Sequence, residues 1–138
     1  MKLELVTLRG IKLDQEIYEV ILPTSSGEIS VFPGHEPLVT LAKAGVVYVR
    51  NKKTDEDTEL FAISGGVVEV SPDTVKILVD EADHGDDIIE AESKSALELA
   101  IKMRDTAIDQ VELDKAHELI DRHTVRLKVA GLRRHRRR

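Results

Sequence analysis

The hydrophobic period of this chain changes once, between about Asp80 and Asp86, and no other feature constrains the fold as tightly. Upstream, apolar residues alternate in short runs: Leu3 and Leu5; Tyr18, Val20 and Leu22; Val47 and Val49; Phe61 and Ile63; Val68 and Val70; Val75, Ile77 and Val79. Period two puts every second side chain on one face of an extended chain, so these runs predict half-buried strands. Turn-forming clusters at Arg9-Gly10, Pro23 to Gly27, Asn51 to Asp57, Gly65-Gly66 and Ser71-Pro72-Asp73 separate them at the spacing of a sandwich or barrel. Downstream, Ile89, Ala96, Ala100, Met103 and Ala107 recur on one helical face with Leu97, Ile101 and Ile108 beside it. Neither Gly nor Pro occurs between Asp86 and Ala130. Asp109 is placed to cap a second helix, whose stripe Leu113, Ala116, Ile120, Thr124 and Leu127 ends at Gly131. The expected fold is mostly β plus α. Seven to nine strands form an N-terminal antiparallel β-sandwich over residues 1–84, followed by a two-helix antiparallel hairpin over 85–131 and a basic tail over 132–138.

A chain of 138 residues suits one compact domain with a small appendage and excludes two large cores. Aromatics are only 3%, so the core must be built from Val, Ile, Leu and Ala, and no platform for stacking nucleic-acid bases is available. The net charge of -6 conceals an asymmetry: Leu132 to Arg138 carries five of the twenty basic residues and no acidic one, on an otherwise acidic body. Such a tail either contacts an acidic partner surface or is a solvated end. There is no cysteine, hence neither a disulfide framework nor a thiol nucleophile. Met1 to Asp14 holds no apolar run of signal-peptide length, and no window approaches the ~20 apolar residues of a membrane span, so membrane association is expected only through a partner.

No catalytic constellation emerges. The five histidines, His35, His84, His117, His123 and His135, are scattered, and there is no Gly-rich phosphate loop or nucleophile motif. His35 and Glu36 are adjacent, and neighbours in extended chain point to opposite sides, so they do not converge on one atom. Asp80, Glu81, Asp83, His84, Asp86 and Asp87 form an acidic cluster whose spacing fits no EF-hand or zinc pattern. Its position before a helix reads instead as capping of free N–H groups and complementing of the helix dipole.

The segment Gly27-Glu28-Ile29-Ser30-Val31-Phe32-Pro33-Gly34-His35-Glu36-Pro37-Leu38-Val39-Thr40 reads as a short strand ended by a Pro-Gly turn. Pro37 stiffens the loop by biasing Glu36 toward extended geometry, which suits a docking surface. This segment closely resembles the signature of the epsilon subunit of F-type ATP synthases. Ala44-Gly45-Val46-Val47, Phe61 to Val70 and Val75 to Asp80 follow in the family's order. The resemblance covers essentially the whole chain, with the sandwich half the better matched.

The resemblance implies a non-catalytic central-stalk subunit of the proton-translocating synthase, coupling rotation of the c-ring to the catalytic head and requiring no cofactor. It implies as partners the gamma subunit, the c-ring and, through the C-terminal helices, the alpha/beta head. It also implies a peripheral location on the cytoplasmic face of the cell membrane, in a bacterial-type or organelle-encoded protein. Glu28, Pro33, Gly34 and His35 take the gamma and c-ring docking role, with Ser30 and Glu36 departing from the usual glycine and small residue. Arg122, Arg126, Lys128, Arg133 and Arg134 form the basic surface expected to brake ATP hydrolysis at the head. Many bacterial members bind ATP through (Ile/Leu)-Asp-x-x-Arg-Ala, but the matching positions here carry Ile89, Glu92 and Ser93, so ATP binding is expected to be weak or absent. From the charge pattern alone a rival stands, an acidic adaptor whose Arg-rich tail binds nucleic acid or another acidic partner. The acidic body and few aromatics weigh against it, and no nucleic acid is expected.

Overall fold

The computed structural model describes the backbone of residues 1–136 and the side chains through residue 135. Ten strands come first: β1 (Lys2–Thr7), β2 (Gly10–Glu16), β3 (Glu19–Thr24), β4 (Gly27–Val31), β5 (Leu38–Ala42), β6 (Gly45–Arg50), β7 (Glu59–Ile63), β8 (Gly66–Val70), β9 (Thr74–Val79) and β10 (Ala82–His84). A 3-10 turn at Gly85–Asp87 leads into α1 (Glu90–Asp105) and α2 (Gln110–Arg136).

The strands form one hydrogen-bonded path, β10-β7-β6-β3-β5-β8-β9-β1-β2, with β4 paired to β3. The β3–β5 link is a single partner pair, Thr24 with Ala42, and there the sheet folds over into two layers. Leu3, Leu5, Val68, Val70, Val75 and Ile77 of one layer meet Val20, Leu22, Val47, Val49, Phe61 and Ile63 of the other in one buried cluster. Every apolar position of the alternating runs is buried there except Tyr18, which is half-buried just before β3. Gly66 is required where β8 and β9 of one layer approach most closely: a Cβ there would collide with the Leu78 carbonyl and stand 2.9 Å from the Val79 Cα.

Several expectations are corrected. The strands number ten, because β10 lies in the acidic cluster, where no apolar alternation marks it. The pairing is not wholly antiparallel: β1 runs parallel to β9. The acidic cluster does not cap α1, whose N-cap is Ile89 with no side-chain bond. His84 caps the 3-10 turn instead, its Nδ1 accepting from the Asp86 N–H at 3.1 Å. Ile89 is exposed, so it does not belong to the buried face of α1, which is centred on Ser93 and Ala100.

Asp109 does cap α2. Its Oδ1 accepts from the Glu112 N–H at 2.8 Å while the Glu112 carboxylate accepts from the Ile108 N–H at 3.0 Å. Along α2, Thr124 is exposed and His123 takes the buried place beside Ala116, Val129 and Ala130. Nor does the helix end at Gly131, since it runs through to Arg136. Gly131 is tolerated because its φ is not positive, and the turn beyond is held by Arg133 and Arg134. The first part of the expected tail is therefore helix, while Arg137 and Arg138 lie outside the described residues.

Val46, Leu60 and Ala62 alternate outward from β6 and β7, and with Ile88, Val129 and Ala130 they form a second buried cluster beneath α2. The hairpin thus covers the outer face of one layer. The outer face of the other, β5-β8-β9-β1-β2, carries no element of this chain among the described residues.

Candidate docking surface

The expected docking residues occupy two places. Glu28 is exposed on β4 opposite Pro23, next to the β3–β4 turn. Pro33, Gly34 and His35 sit in the loop beyond the other end of that strand, roughly 17 Å or more of extended chain away. Gly34 has φ +86°, a left-handed conformation that favours glycine, and its N–H donates to the Pro72 carbonyl at 2.7 Å. That bond ties the loop to the β8–β9 turn. The His35 N–H donates to the Phe32 carbonyl at 3.2 Å, and its Nδ1 donates to the Glu36 carbonyl at 2.7 Å. The Phe32 ring meets Tyr18 edge-on at 5.6 Å, and the Arg50 guanidinium stands 5.2 Å over Tyr18 while pairing with Glu19 at 3.1 Å. The loop is held at both ends and presents rigid groups.

A third surface was not anticipated from the sequence. The pairings Leu41 with Val67, Val67 with Leu78, Leu78 with Val6 and Val6 with Ile11 line up five apolar side chains across the uncovered face. Leu41 is 59% exposed and Ile11 68%, with Leu78 and Val67 at 38% and 36%. The next row is polar: Glu69 and Lys76 are cross-strand partners, and Lys76 and Lys2 pair with Glu4 at 3.8 and 3.3 Å. An apolar row bordered by charges has the anatomy of a protein interface. The alternation was visible in sequence, but the row exists only once four register relationships are fixed.

The basic residues of α2 are engaged within the chain. Arg122 Nε pairs with Glu81 at 2.6 Å, and Arg126 holds both oxygens of Asp83. The Arg133 guanidinium donates to the Gly85 and Ile88 carbonyls, and Arg134 Nη1 reaches both oxygens of Glu90 at 2.9 and 3.1 Å. Lys128 is exposed. Of the positions compared with the ATP motif, Ile89 and Glu92 are exposed, whereas Ser93 is buried against α2 and unavailable to a ligand.

Glu59 anchors the junction between sandwich and linker. Burial pushes its carboxyl upward, but hydrogen bonds from Asn51 at 2.7 Å, Gln15 at 3.4 Å and His84 at 3.2 Å outweigh that and hold it below the ordinary value. Because His84 Nδ1 accepts from Asp86, its Nε2 carries the proton donated to Glu59.

Residues 1–85 match the family model of the ATP synthase delta/epsilon chain beta-sandwich domain. The chain belongs to the ATP synthase delta/epsilon family. It is 38% identical over 138 residues to the ATP synthase epsilon chain of Herpetosiphon aurantiacus, spanning 99% of this chain and 98% of that one. Against the epsilon chain of Chromobacterium violaceum it is 38% identical over 120 residues, 85% and 83% of the two chains. A chain in the Euglena gracilis mitochondrial ATP synthase structure shares the fold with a TM-score of 0.77 at 24% identity, over 94% of this chain and 79% of that one. A chain of the Tetrahymena thermophila mitochondrial ATP synthase central stalk and c-ring structure superposes with a TM-score of 0.59 at 15% identity, over 92% and 96%.

An ATP synthase epsilon chain is an accessory subunit of a membrane-associated complex and not its catalyst. No helix among the described residues is long and apolar enough to cross a membrane.

Proposed function

We propose that this chain seats in the central stalk of the synthase by two surfaces and carries a releasable brake on a third. The row Leu41, Val67, Leu78, Val6 and Ile11 docks on the gamma subunit. The loop Phe32 to Pro37, with Pro33, Gly34 and His35, faces the ring of c subunits, and Glu28 extends this contact along β4. The observation that carries the reading is the uncovered apolar row in a chain of this family, on the layer opposite the one the hairpin occupies. Coupling is mechanical: the two-layer core is the rigid body that transmits torque. The complex lies against the cytoplasmic face of the membrane, and this chain reaches it only through its partners.

The hairpin over α1 and α2 acts as the brake in an extended state, where Arg122, Arg126, Lys128, Arg133 and Arg134 meet acidic residues of the alpha/beta head. In the folded state four of these five are bonded within the chain, so extension exchanges internal partners for external ones. Exposed pairs contribute only ~0.2 to 1 kcal/mol each, so braking needs several together and weakens with salt. Shifting a 1:99 equilibrium to 99:1 takes about 5.5 kcal/mol of differential binding, within reach of an interface with the head but not of a few surface charges.

The test is titration of the purified chain into a catalytic sector lacking its epsilon subunit, with full-length protein and with a version ending at Gly85, which keeps β10. Both versions are expected to bind gamma, and only the full chain to inhibit hydrolysis. Binding by both without inhibition removes the brake; binding by neither removes the docking assignment.

A further inference from the structure

His123 lies on the buried side of α2, 8% exposed, with its Nδ1 buried and without a hydrogen-bond partner. An ionisable ring is thereby held where its Nδ1 has no partner to accept a second proton's hydrogen bond. On its own helix it is flanked by Arg122 and Arg126. Across the interface, the segment from β9 to β10 presents Glu81 and Asp83, each already bound to one of those arginines. α1 carries Glu90, which is half-buried and paired with Arg134, and Glu92, Lys94, Glu98, Lys102, Arg104 and Asp105, all exposed. A proton on His123 therefore adds a third cation beside two guanidiniums whose carboxylates are already engaged.

We propose that His123 is a proton-sensitive release for the hairpin: neutral, it lets α2 lie on the sandwich, and protonated, it drives α2 off. The feature is independent of whether the released hairpin acts as a brake. Burial first, then Arg126 and Arg122, depress the imidazole below its ordinary value of 6.5, and Glu81 and Asp83 only partly oppose this. The sign follows. The docked state prefers the neutral ring, so docking is at full strength above about pH 6.5 and is lost as pH falls below that value toward the docked-state pKa. Within that window one proton is taken up on release, and the docked-to-released ratio falls by up to about tenfold per pH unit.

The chain has neither cysteine nor tryptophan, so a unique quenching pair can be installed. Ala44 and Glu118 line the same cleft of about 580 Å³ between sandwich and α2. A bimane on Ala44→Cys is quenched by a tryptophan at Glu118→Trp only while the hairpin is docked. In the otherwise native full-length chain, quenching is expected to hold from pH 8 to 7 and to fall between pH 6.5 and 5.5. With His123→Gln the profile is expected to be flat over that range. A flat native profile, or the same fall in His123→Gln, overturns the proposal. Should His123→Gln fail to dock at pH 8, NMR of the native imidazole decides. Titration below 6.5 in step with lost quenching supports the release, and an imidazole that titrates while quenching stays constant overturns it.

Discussion

Arg126 on α2 grips Asp83 in β10 through two parallel contacts, Nε to Oδ2 at 3.1 Å and Nη2 to Oδ1 at 3.0 Å, across 43 residues of sequence. Both side chains are about one-quarter exposed, so the fork is partly shielded from water and fixes orientation as well as contact. Asp83→Asn keeps the shape and removes the charge. It is expected to weaken hairpin docking by about 1 kcal/mol while leaving the sandwich intact. Hydrogen exchange checks this: α2 amides should exchange roughly fivefold faster and β8 and β9 amides unchanged. Equal acceleration in both would place the pair in global stability instead of docking.

Gly66 is the tightest point between strands. Its missing Cβ would collide with the Leu78 carbonyl, a backbone group that cannot swing aside. Gly66→Ala must therefore push β8 from β9, and a loss of about 3 kcal/mol in denaturant unfolding is expected. Gly131→Ala is the contrast. Its Cβ meets only an Arg134 Nη2 at 3.9 Å in a helix interior, so it should stabilise by a few tenths of a kcal/mol up to about 1 kcal/mol.

The strands of the core were legible in sequence because period two and burial coincide: Leu3 and Leu5, or Val75, Ile77 and Val79, need only local chain to be recognised. The start of α2 and its cap at Asp109 were legible for the same local reason, whereas its run past Gly131 to Arg136 was not. What sequence could not supply was relation at a distance. The acidic cluster looked like a cap because the arginines that bind Glu81 and Asp83 lie about 40 residues downstream. His123 replaced Thr124 on the buried face because packing on the sandwich turns α2 away from an ideal two-helix stripe. The apolar row required four strand registers at once, and Val6, Leu41, Val67 and Leu78 are distant in sequence.

That row gives a binding prediction separable from stability. Leu78 points outward from β9 while its neighbours Ile77 and Val79 are buried, so a charge at Leu78 faces solvent in the free chain. Leu78→Asp is expected to leave the unfolding transition nearly in place and weaken gamma binding by about 2 kcal/mol, roughly thirtyfold in Kd. Glu69→Gln, in the adjoining polar row, is expected to change binding by less than threefold, since rim charges contribute little. Calorimetric titration of both variants is the check, and equal losses would move the interface off the row.

ATP binding to the hairpin is expected to be absent at low millimolar concentration. Glu92 puts an anion where the family's nucleotide motif has an arginine, and Ser93 is buried under α2. Arg134, a nearby cation, is committed to Glu90. Equilibrium dialysis against ATP should show no retention, and adding ATP should not shift the unfolding midpoint. Saturable binding at low millimolar ATP would mean that the hairpin opens to admit it.

Glu59 gives the chain an acid limit of its own. Its carboxyl is buried enough to be pushed upward, yet Asn51, Gln15 and His84 hold it below the ordinary 4.5. A depressed folded value means that Glu59 contributes stability above about pH 4.5, and that this contribution is lost as pH falls through the folded pKa. Glu59→Gln should be less stable than the native chain at pH 7, because His84 loses its anionic acceptor. The two should converge as pH falls through the folded pKa, where the native carboxylate becomes neutral as well. Urea unfolding at pH 7, 5, 4 and 3 measures the difference directly. A gap that stays constant over that range would mean that Glu59 acts through shape and hydrogen bonding alone, with no part played by its charge.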